Sequence, residues 1–287
     1  MSRAADRFEP VEGRPLVPLP PFRLEERVVE TLVAGDAPTW VVVPAFDEAR
    51  SIPATLAALE AQTLRPLVVC VVDNASNDGT ADVVRSWARG MASRGAGLRV
   101  RLVHEPEKGT GAAADTGMRL AIAAGASVLL RTDADSLPRP EWAARMVERL
   151  QGGAELVAGR MVEREDEALG LGVRALLGIV MTASSALSVP KNRGRGYRTR
   201  FRMLVGSNVG IRAETYVRAG GFPRCRIDEV HDDRALMNRT RRVTDRIVSD
   251  HQAIVETSAR RYRVYGLRGV LDWYLHHETH GATVDVR

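Results

Sequence analysis

Leu67-Val68-Val69-Cys70-Val71-Val72-Asp73, continued by Asn74-Ala75-Ser76-Asn77-Asp78-Gly79-Thr80, is the stretch on which the fold class turns. An apolar, mostly β-branched run from Leu67 to Val72, without polar alternation, reads as a strand buried on both faces, with Asp73 at its tip. Asn77-Asp78-Gly79-Thr80 then reads as a turn into a helix running from about Ala81 to Arg89. Upstream, Trp40–Val43 is a similar run ended by Pro44, and Ser51 is placed to cap a helix reaching about Gln62, with Pro53 in its first turn. Downstream, Leu98–Val103 reads as a third strand. The loop Lys108-Gly109-Thr110-Gly111 leads into an Ala-rich helix ending near Ala124. Ser127–Arg131 is a fourth strand, running on to Asp133 and Asp135, and Pro140–Leu150 is a helix.

Strands alternating with helices at this short spacing predict an α/β fold: a doubly wound, mostly parallel sheet with helices on both faces. Right-handed crossovers place the carboxyl ends of these strands along one edge, where ligands of open α/β sheets bind. Asp47-Glu48, Asp73, the Gly109 loop and Asp133/Asp135 are thereby expected around one crevice.

The chemistry follows from the residue types. Asp133 and Asp135, one residue apart in extended chain, point the same way. Their oxygens suit Mg²⁺ or Mn²⁺, ions that also bind substrate phosphates. Surface turns supply many Asp-x-Asp pairs, so the signal lies in the position after a strand. Asp73 can accept from a base N–H or ribose hydroxyls, whereas Asp78 reads as a backbone cap. Lys108-Gly109-Thr110-Gly111 allows close backbone approach at a helix N-terminus, which favours an anion, and reads equally as a plain loop.

Val41-Val42-Val43-Pro44-Ala45-Phe46-Asp47-Glu48, Val71–Thr80, Lys108-Gly109-Thr110-Gly111-Ala112-Ala113 and Thr132-Asp133-Ala134-Asp135 together resemble the family 2 glycosyltransferases of GT-A fold, in order and in spacing. The resemblance covers residues 39–262. It implies a nucleotide-sugar site at Pro44, Ala45, Phe46, Glu48, Asp73, Lys108, Gly109, Asp133 and Ala134, with Asp47 also on the nucleoside. It implies a Mn²⁺ or Mg²⁺ ion at Asp135 and Asp133, with His251 as a candidate further ligand. Gly206-Ser207-Asn208 resembles the acceptor side. Asp232-Asp233 sits where the family carries its general base, so Asp233 is the implied base, Asp232 the neighbour to test beside it, and Asp228 or Glu229 a lesser candidate. Asp47 stands where the family often has Asn, and Asp232 where it often has Glu. His231 has no assigned role. Arg260 and Arg261, after Val255–Ala259, are candidates for neutralising a diphosphate. Four regions are expected: an N-terminal extension over 1–37, with a short helix at Leu24–Leu32; a nucleotide-sugar-binding half over 38–150; an acceptor-side half of the same domain over 151–265; and a C-terminal helix or tail over 266–287.

Composition narrows the partners. The 287 residues carry a formal charge of +5 almost wholly as arginine, since only Lys108 and Lys191 are lysines, and aromatics are 5%. A nucleic-acid surface would gather cations into patches with stacking aromatics, so none is expected. The basic stretches Lys191–Arg202 and Arg239–Arg246 read as solvated faces or a loop, with an anionic partner such as a phosphate or a membrane surface as the lesser reading. Cys70 reads as a buried small residue, and neither it nor Cys225 has metal-ligand spacing. Met1–Leu24 lacks the apolar core of a signal peptide, so a cytoplasmic location is expected. Leu169–Pro190 is mostly apolar over about the length needed to span a bilayer but contains Arg174, and reads as a buried or interfacial helix that leaves peripheral membrane contact open. The paired His276 and His280, with His277, read as a frayed terminal helix.

Three rival classes are weaker. A dinucleotide-dependent oxidoreductase would carry Gly-x-Gly-x-x-Gly where this chain has Pro44-Ala45-Phe46-Asp47-Glu48. A sugar-phosphate nucleotidyltransferase would have a Gly- and Arg-rich loop at the same place. A non-catalytic binding protein on this scaffold would have no need of both Asp133 and Asp135 together with a base. The expected partners are a nucleoside-diphosphate sugar and a small-molecule or lipid-linked acceptor.

Overall fold

The computed structural model describes residues 27–95, 97–164, 196–224 and 232–258. Among the described residues nine strands form a single sheet: β1 (Val29–Val33), β2 (Thr39–Ala45), β3 (Leu67–Asp73), β4 (Leu98–His104), β5 (Val128–Arg131), β6 (Ser136–Pro138), β7 (Leu156–Glu163), β8 (Val209–Arg212) and β9 (Ile247–Thr257). The helices are α1 (Ile52–Glu60), α2 (Thr80–Ser93), α3 (Thr110–Ala123), α4 (Trp142–Gln151), α5 (Ala213–Ala219) and α6 (Asp232–Val243). The strand order is β1-β4-β3-β2-β5-β8-β7-β9-β6.

The parallel block β4-β3-β2-β5 is the expected doubly wound core. β2 and β3 are buried at every position, as their uninterrupted apolar runs require. Val41, Val43 and Ala45 pack with α1, α2 and α4, while Trp40 and Val42 face α3 and α6. Both faces of the sheet are therefore covered. Cys70 is buried, and burial pushes its thiol up to about 12.

Beyond β5 the pattern changes. β8 runs antiparallel between β5 and β7, and β9 returns parallel to β7. This half had few strand signals, because Val209-Gly-Ile-Arg212 and Ser136-Leu-Pro138 are too short to show a period.

Three local expectations are corrected. The helix expected over Leu24–Leu32 gives way to β1 at Val29–Val33, which pairs antiparallel with β4, Val29 opposite Val103. Its alternation of Glu30 with apolar neighbours suits the open edge of β4, and Glu30 receives Arg85 of α2 at 2.6 Å. Ser51 makes no capping bond from its side chain; the N–H groups of Ser51 and Ile52 go instead to the Glu48 carbonyl, at 3.0 and 2.9 Å. The stretch Arg239–Arg246 is not simply a solvated face. Arg241 is buried against Tyr197 and Phe201, Arg239 donates to the Gly220 and Gly221 carbonyls, and Arg246 pairs with Glu155. Asp78 does cap as expected: its carboxylate accepts from the N–H groups of Thr80 at 3.0 Å and Ala49 at 2.8 Å.

Leu169–Pro190, Cys225, Asp228, Glu229, His231, Arg260, Arg261 and the terminal histidines lie outside the described residues. No helix among the described residues is long and apolar enough to cross a membrane.

Candidate active site

The tips of β2 and β3 are stitched together by short polar bonds. After β2 the chain turns through Asp47 with φ 52°, a left-handed conformation that Asp tolerates better than most residues. The Asp47 N–H donates to Ser76 Oγ at 3.0 Å, and Asp47 Oδ1 accepts from the Asn77 N–H at 2.7 Å. The Glu48 N–H donates to Thr80 Oγ1 at 2.9 Å. One oxygen of Asp47 is thus bound to the neighbouring turn, which holds the Phe46–Glu48 loop against the end of β3. Asp73 is buried at its strand tip; Oδ1 accepts from the Ser76 N–H at 3.3 Å, and Oδ2 lies 3.4 Å from His104 Nδ1.

Asn74 carries the next link. Its amide NH₂ donates to the carbonyls of Glu105 at 2.9 Å and Glu107 at 2.7 Å, and its Oδ1 accepts from the Gly109 N–H at 2.8 Å. One side chain therefore shapes the loop that enters α3. Gly109 has φ 150°, open to glycine and strained for other residues. Lys108 Nζ sits 5.1 Å over the Phe46 ring, bringing the cation to the β2 side of the crevice.

The acidic end of β5 is organised by Arg131, a strand-end arginine that no sequence motif marks as part of the site. Its guanidinium is almost wholly buried, 4.8 Å from the Phe222 ring centroid and against the backbone of Gly206, where an added Cβ would stand 3.2 Å from the guanidinium carbon. Nη1 donates to Asp232 Oδ2 at 2.8 Å, and Nη2 to Asp133 Oδ1 at 3.4 Å. Asp133 and Asp232, 99 positions apart by their residue numbers, thereby share one cation.

Asp232 and Asp233 open α6. Asp232 Oδ1 accepts from the Asp233 N–H at 2.9 Å, and Asp233 Oδ1 accepts from the Arg234 N–H at 2.6 Å. Burial, and then the neighbouring Asp232 charge, push the Asp233 carboxyl up to about 7; the Arg234 N–H and the Arg131 charge oppose that rise without cancelling it.

Ala134 is buried and its carbonyl accepts from Thr55 Oγ1 at 2.8 Å, fixing the backbone between Asp133 and Asp135. Asp135 Oδ1 accepts from Ser136 Oγ at 3.3 Å. Among the described residues no group of three or more His, Cys, Asp or Glu side chains could cage a metal. Two carboxylates at a strand end, with Asp133 38% exposed, fit instead a hard dication that fills its shell with water and substrate phosphates. His251 lies exposed where the β7–β9 register shifts, beside Asp250 and Gln252, which bond to Arg149 and Arg145 of α4. It joins no three-ligand cluster with Asp133 and Asp135.

On the other side of Arg131, Ser207 is buried with Oγ 3.9 Å from Met161 Sδ. Asn208 is a brace. Its Oδ1 accepts from Trp142 Nε1 at 2.8 Å, and its NH₂ donates to the Arg160 and Ala253 carbonyls, each at 2.9 Å. Its side chain ties α4, β7 and β9 together.

A glycine loop opening α3, a buried carboxylate at the tip of β3 and two acid pairs joined across Arg131, all on a mixed, mostly parallel sheet, define an α/β protein of GT-A architecture. The profile of glycosyl transferase family 2 matches residues 40–209, and the chain belongs to that family. It is 32% identical over 124 residues to the glycosyltransferase AglE of Haloferax volcanii, covering 42% of this chain and 38% of the relative. It is 30% identical over 122 residues to the polyprenol monophosphomannose synthase of Mycolicibacterium smegmatis, covering 42% and 44%. Among solved structures it is similar to the mannosyltransferase PcManGT of Pyrobaculum calidifontis in complex with GDP-Man and Mn²⁺, with TM-score 0.57 and 25% identity over 82% of this chain and 63% of that one. The chain spans less than two thirds of the length of each of these proteins.

Proposed function

We propose that the protein moves a sugar from a nucleoside-diphosphate sugar to an acceptor hydroxyl, with inversion at the anomeric carbon and Asp233 as general base. The observation that carries this reading is the unequal setting of two adjacent carboxyls. Asp232 is committed to Arg131, while Asp233 is raised to about 7. A base is most effective when its pKa lies near the working pH, and an ordinary aspartate is too weak a proton acceptor for that task.

In this reading Asp73, with Asp47 and Glu48 beside it, holds the nucleoside, and Pro44, Ala45 and Phe46 form the floor. Lys108 and Gly109 meet the diphosphate. When bound, Mn²⁺ or Mg²⁺ at Asp133 and Asp135 supplies neutralisation of the charge on the leaving group. The acceptor oxygen bonds to the anomeric carbon as that carbon's bond to the β-phosphate oxygen breaks. Asp233 takes the hydroxyl proton, and the nucleoside diphosphate departs with the electron pair. Gly206 and Ser207 line the acceptor side, with Asn208 bracing them.

A second reading has specific support. The name of the mycobacterial relative points to a polyprenyl phosphate acceptor, which would bring the protein to a membrane surface. Such a phosphate is already ionised near neutral pH and needs no base. The two readings separate on Asp233→Asn, assayed with a panel of labelled nucleotide sugars against sugar and polyprenyl phosphate acceptors. With a hydroxyl acceptor, transfer falls by about 10²–10⁴-fold while donor affinity holds. Unchanged turnover on polyprenyl phosphate would retire the base and favour the second reading.

A further inference from the structure

Arg224 touches more of the donor loop than any role in the proposed reaction accounts for. Its Nη2 lies 2.9 Å from Glu105 Oε2 and 2.8 Å from Glu107 Oε2, and its Nε lies 2.9 Å from Glu107 Oε2. Nη1 reaches Thr116 Oγ1 at 3.0 Å, and the Ala112 carbonyl and Asp115 Oδ2 at 3.3 Å. Glu105 and Glu107 lead directly into Lys108-Gly109, and Ala112–Thr116 are the first turns of α3. The preceding residue sits equally close: a Cβ added at Gly111 would stand 2.2 Å from the Pro223 carbonyl oxygen.

The other end of this segment is held by the helix that carries the proposed base. Arg239 of α6 donates to the Gly220 and Gly221 carbonyls at 2.8 and 2.7 Å. The Phe222 N–H donates to the Tyr216 hydroxyl at 3.0 Å, and that hydroxyl donates to Asp115 Oδ1 at 2.8 Å. A continuous run of bonds therefore passes from α6 through Gly220–Arg224 to the root of the Gly109 loop.

We infer that Arg224 is a positioning residue that sets the separation between the donor diphosphate loop and Asp233. The inference rests on the proposed transferase reading and adds a residue outside the nucleotide, metal and base sets. Its effect is geometric: a misplacement of reacting groups by about 1 Å can cost about 100-fold in rate. Removing Arg224 leaves no buried carboxylate alone, because Glu105 keeps Arg27 at 3.1 Å and Asp115 keeps Arg119 at 2.8 Å. The fold is therefore expected to survive the substitution.

The test compares wild type with Arg224→Met, Arg224→Lys and Glu107→Gln. GDP and UDP are titrated calorimetrically in the presence of Mn²⁺, and turnover of GDP-mannose and UDP-glucose to free sugar is measured at saturating donor. For Arg224→Met the expected result is a kcat lower by about 10- to 100-fold and a weaker affinity for the nucleotide that wild type binds. Arg224→Lys recovers part of both. Glu107→Gln, which leaves the buried Glu105 and Asp115 contacts in place, moves both in the same direction by less, and stands in for Arg224→Met if that variant does not fold. A lowered melting temperature with unchanged kcat and unchanged nucleotide affinity below it would overturn the inference and leave Arg224 a structural residue. Nucleotide binding by wild type without turnover would overturn the transferase reading instead, and the affinity series would still decide the role of Arg224. Absence of nucleotide binding in wild type would overturn both.

Discussion

Arg131 Nη1 stands 2.8 Å from Asp232 Oδ2 while Nη2 of the same guanidinium faces Asp133 Oδ1. One buried cation thus joins the acid pair at the end of β5 to the acid pair at the start of α6. A cation removed from water in this way is tolerable only when paired, and removing it leaves the carboxylates without compensation.

Arg131→Met is therefore predicted to lower stability by about 3–5 kcal/mol, read as a fall in the midpoint of denaturant unfolding. Because the Arg131 charge holds the Asp233 carboxyl down, its loss is also predicted to move the ascending limb of the pH–rate profile to higher pH. A limb that stays in place or moves down would show that Arg131 does not act on Asp233.

Asp233 itself gives a signed pH effect. The folded protein keeps this proton up to about 7, against an ordinary value of 3.8. Between those values the folded state binds more protons than the unfolded chain, so this group makes stability fall as pH rises. Asp233→Asn is predicted to flatten that decline and to gain stability over wild type at pH 8. The rise of kcat/KM through pH 7 is predicted to vanish in the same variant. Parallel stability curves for the two proteins would contradict the raised pKa.

Asn74→Ala removes the acceptor of the Gly109 N–H and the donors to two carbonyls. Each buried group left unsatisfied costs about 1–3 kcal/mol. The expected outcome is a looser Lys108–Gly109 loop, seen as faster amide exchange there and weaker nucleotide binding. Protection at Gly109 equal to wild type would rule this out.

Much of this was legible before the structure, for identifiable reasons. Val68–Val72 is buried on both faces and so is apolar throughout, which is why the parallel block could be read directly. Asp78 announced its cap because a cap is local. Arg131 did not announce its role, since its partner Asp232 is distant in sequence and an arginine ending a strand carries no motif. β1 is hidden for a similar reason: Val29–Val33 becomes a strand by pairing with the open edge of β4. Asn208 resembles an acceptor-side residue, and its three long-range bonds, to Trp142, Arg160 and Ala253, carry no motif by which a sequence could show them.

That brace yields its own prediction. Asn208→Ala orphans Trp142 Nε1 and two backbone carbonyls, and is predicted to destabilise the fold by several kcal/mol, at about 1–3 per group. The nucleotide affinity of the surviving folded fraction should hold, because none of these groups lies at the donor edge. A variant of unchanged stability but reduced acceptor affinity would give Asn208 a direct acceptor contact instead.

In the proposed function, the acidic end of β5 grips a diphosphate through a divalent ion. Calorimetric titration of GDP and UDP into metal-stripped wild type and Asp135→Asn, with and without Mn²⁺, tests it most directly. At least one nucleotide is predicted to bind wild type with Mn²⁺ and little without it, and Asp135→Asn to lose the Mn²⁺-dependent part. Equal affinity with and without the ion, or an Asp135→Asn variant indistinguishable from wild type, would contradict it.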